Sequence, residues 1–269
     1  PDKLLLFRMG DFYEMFFEDA EKGAAMLGIT LTTRDKQKEN AIPLAGFPHH
    51  ALDQYLEKLI RIGQKVVVCE QVEDPKTAKG IVKRDVVDIL TPGAVISNEE
   101  TQKQNYLAAV KIYKKNAGLA LLDFATGEFL ALEISKSRLN DELQRRRPSE
   151  ILCAEKQIGE IMPHLNGVPA AVTERFDEDF AERSAEETLK THFQIASLHV
   201  FGLEDSPLAI AAAAAILTYL KDLHKKALHI QKIQRYNDQE YLILDNTTIR
   251  NLEIFSSIQD PTAKTTLFD

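Results

Sequence analysis

Residues 4–19 read LLLFRMGDFYEMFFED, and this stretch decides how the first part of the chain folds. Its apolar and aromatic residues favour β-strands, and Gly10 divides them with a residue typical of turns. In an extended strand after that turn, Phe12 and Glu14 lie on one face, opposite Tyr13. Facing a core, the Glu14 carboxylate would be buried at a free-energy cost; facing solvent, the Phe12 ring would be exposed. Such a local inconsistency is typical of functional sites.

Two interpretations of this strand are open. In the structural one, Phe12 and Phe16 belong to the core and Glu14 lies at the surface. In the functional one, the exposed Phe12 ring stacks on a flat heterocycle while the Glu14 carboxyl group hydrogen-bonds to its edge. Stacking of a base on an aromatic side chain is worth about 1–3 kcal/mol. Insertion of a ring into a duplex is easiest where pairing is already faulty, and a carboxylate among phosphates disfavours ordinary duplex.

The first hundred residues predict one mixed α/β domain, because short apolar strands alternate with amphipathic helices. The apolar stripe of residues 49–62 predicts a helix that ends at Gly63. The remaining predicted elements are strands at 3–9, 28–33, 65–72 and 85–93, an apolar, proline-containing segment at 41–48, and a short helix at 18–27.

Residues 95–105 are polar and predict a linker to a second domain. Three strands then follow in quick succession, from residues 106, 118 and 128, and the turn 125–127 between the last two indicates a hairpin. The remaining predicted elements are strands at 150–154 and 168–172 with a short helix between them, and helices at 136–146, 177–193 and from Ser206-Pro207 to about 225. A sheet that begins with an antiparallel meander and carries later helices on its faces is therefore expected, and a further segment begins at residue 241.

Composition excludes several classes of protein. The chain has 269 residues, 44% of them hydrophobic and 28% charged, and a net charge of −8 that is negative in both halves. This balance argues against non-specific nucleic-acid binding through bulk charge. No apolar run is long enough for a membrane span, and the opening PDKLLLF lacks the pattern of a signal peptide. Cys69 and Cys153 have no CxxC or Cys/His spacing, so we expect buried thiols and no metal site.

Five motifs in order resemble those of the MutS DNA mismatch repair family. FRMGDFYEMF resembles the mismatch-reading segment of the family, with its Phe-x-Glu hallmark at Phe12 and Glu14. The other four are IPLAGFPHHALDQYLEKLI, VVVCEQVEDPKTAKGIVKRDVVDILTPG, GLALLDFATGEF and NTTIRNLEI. The resemblance extends over almost the whole chain, although Leu44 stands where the family commonly has methionine.

The resemblance implies an α/β (α+β) fold class and an order of domains. Residues 1–92 would form the mixed-sheet mismatch-binding domain, and residues 93–105 a linker. Residues 106–238 would form an RNase H-like connector domain, and residues 239–269 the start of a helical core domain.

The resemblance also assigns roles to individual residues. Phe12 would stack on the mispaired or unpaired base, and Glu14 would hydrogen-bond to that base. Four further residues would lie near the DNA: Met9, Asp11, Arg34 and Leu44. Of these, Arg34 would contact a phosphate. Three basic residues of the later loop would contact the DNA backbone: Lys79, Lys83 and Arg84. A solvated loop charge is at least an equal alternative for each of them.

Partners and cofactors follow from the same resemblance. The chain lacks the string G-x-x-x-x-G-K-[ST] of a Walker A loop, so we expect a fragment that does not hydrolyse ATP. ATP and Mg²⁺ would be bound elsewhere in a full-length ATPase. The expected partners are mismatched double-stranded DNA, MutL through the connector domain, and a second copy in a homodimer. The expected location is the bacterial cytoplasm, in association with the nucleoid.

Two rival functions remain. The first is a metal-dependent nuclease, since an RNase H-like sheet with Asp123 on an early strand, followed by Glu128 and Glu133, resembles the sites of two-metal enzymes. Asp123 also opens the turn DFATG, where aspartate commonly caps the backbone. The second is a protein-interaction module without nucleic-acid contact, which suits the connector half but leaves the Phe12 and Glu14 face unexplained.

Overall fold

The structure is a computed structural model that describes residues 3–34, 41–73, 80, 82–95, 104–223, 225, 227–236, 248 and 251–253. The chain divides into two compact units. Unit 1 comprises residues 1–102 with 219–227, and unit 2 comprises residues 103–218 with 228–269. Each unit contains one mixed sheet of six strands with helices packed on it, so the predicted α/β class is confirmed.

The sheet of unit 1 has the strand order β3-β4-β2-β1-β5-β6. Its strands are β1 (Lys3–Met9), β2 (Phe12–Phe16), β3 (Thr32–Arg34), β4 (Ile42–Pro48), β5 (Lys65–Gln71) and β6 (Arg84–Leu90). Two helices accompany them, α1 (Phe17–Leu27) and α2 (Leu52–Arg61). Strands β1 and β5 are parallel and the other neighbours are antiparallel. The strand order makes β1 a central strand of the sheet.

Both helices of unit 1 pack on the same face of its sheet. Alternate residues of four strands supply the sheet side of this core: Leu4, Leu6, Tyr13, Met15, Ala45, Phe47, Val66 and Val68. The buried residues of the helices, Ala20, Ala24, Leu27 and Leu59, complete it. Because strand side chains alternate between faces, the intervening residues of β1, β2 and β4 point to the opposite face.

The strand predicted at residues 28–33 is shorter than expected. Gly28 instead terminates α1 in a left-handed conformation (φ +67°), and its N–H donates to the carbonyl oxygen of Ala24 at 2.9 Å. Ile29 packs against the core from the loop, and pairing begins only at Thr32. The β-branched residues favoured a longer strand, but the requirements of the helix end override that propensity.

Unit 2 has a sheet with the strand order β11-β10-β7-β8-β9-β12. Its strands are β7 (Tyr106–Tyr113), β8 (Asn116–Asp123), β9 (Phe129–Ser135), β10 (Glu150–Ala154), β11 (Ala171–Arg175) and β12 (Gln234–Arg235). Its helices are α3 (Leu139–Arg146), α4 (Ile158–Ile161), α5 (Glu182–Phe193) and α6 (Pro207–Asp222), although the last four residues of α6 belong to unit 1. Strands β7, β8 and β9 form the predicted antiparallel meander, and β10 is parallel to both β7 and β11.

Helix α6 approaches the sheet of unit 2 very closely where it crosses β8. A Cβ atom added to Gly118 would stand 2.1 Å from the carbonyl carbon of Leu208 and 2.5 Å from the backbone nitrogen of Ala209. Alanines 209 and 211–215 of α6 are fully or almost fully buried. Small side chains on both elements therefore allow backbone to approach backbone.

The strand predicted at residues 168–172 begins three residues later than expected. The apolar run predicted a strand there, but β11 is Ala171–Arg175 and pairs in register with β10 from Glu150 to Ala154. The pairing partner fixes this register, whereas the polar residues of β11 gave no apolar pattern.

Both cysteines are free and buried, as expected. Some other predicted features fall outside the described residues, including most of the segment 239–269 and the middle of the linker 93–105. Among the helices that the structure describes, none is both long and apolar enough to cross a bilayer.

Candidate nucleic-acid interface

The first two strands form a hairpin with a two-residue loop. Met9, at the end of β1, pairs with Phe12 at the start of β2, which leaves only Gly10 and Asp11 between the strands. Gly10 has φ +59°, a conformation that glycine adopts without the steric penalty of a Cβ atom. The tight turn fixes the register, and the register decides which face each following side chain occupies.

The turn is also tied to the neighbouring strand β4. The carbonyl oxygen of Asp11 accepts a hydrogen bond from the backbone N–H of His49 at 2.9 Å and lies 3.2 Å from His49 Nδ1. His49 directly follows β4. The end of the hairpin is therefore anchored on its outer side.

The face of the sheet opposite α1 and α2 carries the candidate side chains. They form three rows across adjacent strands: Met9–Phe12–Pro48, Phe7–Glu14–Gly46 and Phe16–Leu44. Directly paired residues lie on the same face with Cβ atoms about 5 Å apart. The fold thus brings Met9, Phe12, Glu14 and Leu44 onto one surface, which we call the outer face.

Phe12 and Tyr13 show the two sides of β2 most clearly. The Phe12 residue is 46% exposed, whereas Tyr13 is 2% exposed. Burial, and then the hydrogen bond and charge of Glu70, raise the pKa of Tyr13 to about 12. The structural interpretation with Phe12 in the core is therefore wrong, and Tyr13 is the aromatic residue that packs inside.

Glu14 lies in the middle row of the outer face. Within the described part of the chain, no residue donates a hydrogen bond to its carboxylate. A Cβ atom at Gly46 would stand 3.4 Å from Glu14 Cγ and 2.6 Å from the carbonyl oxygen of Tyr13. Sequence reasoning missed Gly46, although an isolated glycine in a strand pattern such as LAGFP signals close backbone approach.

The remaining candidates occupy different positions. Asp11 and Lys83 lie at the ends of strands or in loops, and Met9 and Leu44 are partly buried on the outer face. The backbone of Arg34 pairs with Ile42 at the edge of the sheet. The side chain of Arg34 and the whole of Lys79 lie outside the described residues.

Arg84 is held by groups of its own unit. Its Nε donates to the carbonyl oxygen of Arg8 and its Nη1 to that of Val82, each at 2.8 Å. Its guanidinium carbon lies 5.2 Å from the centre of the Phe7 ring. The side chain is therefore directed along the outer face at the base of the hairpin.

The acidic residues considered for nuclease chemistry have separate structural roles. Asp123 is 3% exposed, and its Oδ1 accepts hydrogen bonds from the backbone N–H groups of Ala125 (3.0 Å) and Thr126 (3.2 Å). Glu128 accepts from the Tyr106 hydroxyl at 2.6 Å. Glu133 accepts from a backbone N–H in the first turn of α6 at 3.3 Å. Across the described ranges, no three His, Cys, Asp or Glu side chains come together as a metal site requires.

Replacement of Asp123 separates its turn role from a catalytic one. Asp123→Ala leaves two N–H groups without their acceptor, so we expect it to lower the free energy of unfolding by about 2 kcal/mol. Asp123→Asn retains an Oδ1 acceptor, and its loss should be less than about 1 kcal/mol. Denaturant unfolding measures both. A nuclease role would instead appear as Mg²⁺- or Mn²⁺-dependent DNA cleavage that the stable Asn variant loses.

Comparison with known proteins gives consistent matches over the chain. The family descriptions "MutS domain I" and "MutS domain II" match residues 1–99 and 105–234. Similar curated proteins, each named DNA mismatch repair protein MutS, come from Salinibacter ruber (43% identity over 268 residues), Methanothrix thermoacetophila (44% over 273) and Myxococcus xanthus (42% over 269). The alignments cover 97%, 100% and 97% of this chain, respectively, and 30% of each relative.

Proposed function

The chain belongs to the MutS family of DNA mismatch repair proteins, and from that premise we propose that unit 1 recognises mispaired or unpaired bases in duplex DNA. Phe12 enters the duplex as a wedge and stacks on the faulty base, and Glu14 hydrogen-bonds to the edge of that base. The observation that carries this proposal is the exposed Phe12 residue beside the Glu14 carboxylate on a sheet face that neither α1 nor α2 covers.

The free energy of insertion favours mispaired or unpaired sites over fully paired duplex. Insertion of a side chain between base steps costs roughly a few kcal/mol per step, and stacking on the ring returns about 1–3 kcal/mol. The balance is least favourable where both bases are well paired and most favourable where pairing has already failed. The negative charge of Glu14 opposes close approach of ordinary duplex, so it adds selectivity.

Neighbouring residues of the outer face support the wedge. Met9 and Leu44 flank Phe12 and Phe16 and offer apolar surface to the opened groove. Asp11, in the turn, lies beside the bound strand. Arg34, Lys79 and Lys83 supply positive charge for phosphates, which an acidic chain needs at its contact surface.

Unit 2 is proposed as an RNase H-like connector domain. Its first three strands form a meander, and β10 and β11 follow parallel to β7 on the other side, an order typical of that fold. In this role unit 2 transmits the bound state to MutL and to ATPase domains that bind ATP and Mg²⁺ outside this chain. The complete protein acts as a homodimer.

A charge-neutral variant tests the role of Glu14. In the intact protein, Glu14→Gln removes the repulsion of phosphates, so affinity for fully paired duplex should rise by roughly threefold or more. The preference for a G·T mismatch or a single-base loop over paired duplex should fall correspondingly. Fluorescence anisotropy at one fixed salt concentration measures both affinities.

The matched control is Glu18→Gln, which removes the same charge from an exposed position at the start of α1. It should leave both affinities unchanged. Equal binding of mismatched and paired duplex by the unaltered protein would contradict the proposed function itself.

A further inference from the structure

A connected set of polar side chains underlies the turn between β1 and β2. Arg84, on β6, reaches across the sheet and donates from Nε to the carbonyl oxygen of Arg8 and from Nη1 to that of Val82, each at 2.8 Å. Its guanidinium carbon lies 5.2 Å from the ring centre of Phe7, one of the outer-face residues paired with Glu14. The side chain therefore connects β6 to the strand that leads into the hairpin.

Gln71 extends this connection to the turn itself. It lies directly opposite Arg84 in the register of β5 and β6. With its amide oxygen directed at the turn, it accepts from the backbone N–H of Gly10 at 3.0 Å and from Arg84 Nη2 at 3.2 Å. The same amide oxygen thus joins the guanidinium of Arg84 to the first residue of the loop.

Arg8 holds the turn from the opposite face of the sheet. Its Nε donates to the carbonyl oxygen of Gly10 at 2.5 Å, and its Nη1 lies 3.8 Å from Glu70 Oε1. Glu70 also accepts from the hydroxyl of buried Tyr13. Gly10 is therefore held through both its N–H and its carbonyl group, two residues before Phe12.

We propose that Arg84 is a positioning residue for mismatch recognition, which fixes the β1–β2 turn so that the Phe12 ring stands ready for insertion. This inference rests on the proposed function of Phe12. It assigns to Arg84 a role other than a phosphate contact, because three of its N–H donors have acceptors within unit 1 and its guanidinium covers the Phe7 ring. A ring held in its bound orientation loses less conformational entropy when DNA binds.

Lysine is unable to reproduce this arrangement. The planar guanidinium presents five N–H donors in a fixed geometry, whereas a lysine ammonium is a compact charge on a flexible stem. One ammonium does not span two backbone carbonyls and an amide oxygen while its charge also covers a ring. Arg84→Lys thus keeps the charge and removes the geometry, which separates the positioning role from a phosphate contact.

The experiment compares three variants in the intact protein. Arg84→Lys retains the charge, Arg84→Met removes it, and Gln71→Met breaks the same network without changing any charge. Arg61→Met is the matched control, because it removes one arginine that pairs with Glu57 on the exposed side of α2. Anisotropy gives the affinities for mismatched and paired duplex over a salt series, and thermal unfolding reports whether each variant is folded.

All three network variants should lower the preference for mismatched over paired duplex by about threefold to tenfold, the effect of losing a hydrogen bond that holds the turn. For Arg84→Lys and Gln71→Met, which leave the net charge unchanged, affinity for paired duplex and the slope of log K against log salt concentration should remain those of the unaltered protein. Hydrogen exchange of the peptide spanning residues 9–13, measured without DNA, should become faster. Arg61→Met should change none of these quantities.

Two results would overturn the inference. In the first, Arg84→Lys behaves as the unaltered protein while Arg84→Met weakens both duplexes equally and lowers the salt slope by about one, the signature of a phosphate contact. In the second, exchange at residues 9–13 and the mismatch preference are unchanged in every network variant. If the unaltered protein itself shows no mismatch preference while the variants still exchange faster, the network holds the turn as described. That result would refute the proposed function of Phe12 instead.

Discussion

Phe12→Ala is expected to lower the preference of the intact protein for mismatched over paired duplex by about 5-fold to 150-fold, the equivalent of about 1–3 kcal/mol of base stacking. Phe12 is 46% exposed and lies on the face opposite the core, so removal of its ring should leave the core of unit 1 unchanged and the thermal midpoint close to that of the unaltered protein. Affinity for paired duplex should change little, because ordinary base pairs resist insertion. Anisotropy with a labelled G·T or single-base-loop duplex and its paired counterpart measures the ratio.

Phe176→Ala provides the matched control for this loss. Phe176 is 66% exposed and lies in unit 2, so the variant removes the same ring from a position with no proposed DNA contact. It should retain the full mismatch preference. The wedge role would be refuted by a Phe12→Ala protein whose ratio equals that of the unaltered protein at the same salt concentration.

Gly118→Ala is expected to have the largest effect on stability. Its Cβ atom would stand 2.1–2.5 Å from three backbone atoms of Leu208 and Ala209, a separation that real Cβ atoms essentially never show. Backbone atoms are unable to rotate away as a flexible side chain does, so α6 must shift from the sheet. We expect the free energy of unfolding to fall by roughly 3 kcal/mol or more, measured by denaturant unfolding with circular dichroism.

Gly159→Ala is the control for this substitution. Gly159 lies in α4 with no atom within 4 Å of the added Cβ position, so alanine should be neutral or should stabilise the protein by up to about 1 kcal/mol. A Gly118→Ala protein as stable as the Gly159→Ala protein would show that α6 does not approach β8 as closely as described.

Much of the fold was predictable because the responsible signals are local. Apolar strands bounded by turn residues predicted β1 and β10 at their observed bounds, 3–9 and 150–154. Ser206 and Pro207 marked the start of α6 through their preference for the first positions of a helix. The turn at residues 125–127 was likewise predictable from nearby residues, because a side-chain oxygen of Asp123 accepts hydrogen bonds from its backbone N–H groups.

One error arose where a partner distant in sequence decides the outcome, and another where the end of a helix overrides strand propensity. Nothing in the sequence of β11 shows that its register is set by β10, so the strand was predicted three residues too early. At Gly28 the need to end α1 overrode the β propensity of the residues that follow. Tertiary pairing and helix termination are both invisible to a count of apolar residues.

The candidate site shows the same division. Strand alternation alone places Phe12 and Glu14 on one face, and the structure has them there. The part played by Gly46 depends on the pairing of β2 with β4, and the contacts of Arg84 depend on β6 lying two strands from β1. For Arg84 the sequence left a contact with the DNA backbone and a solvated loop charge both open, because its acceptor on Arg8 belongs to a strand 76 residues away in sequence.

The central position of β1 has a consequence for synthesis on the ribosome. Its antiparallel partner β2 begins just after the turn, at Phe12, but its parallel partner β5 begins only at Lys65. Until that segment has been translated, Leu4 and Leu6 have no complete core to enter, and one edge of β1 stays unpaired and open to other chains. The closing of so long a loop also slows folding. A nascent chain that stalls before β5 and β6 thus displays the hairpin without the strands that support it, and its exposed apolar residues and unpaired strand edge favour aggregation.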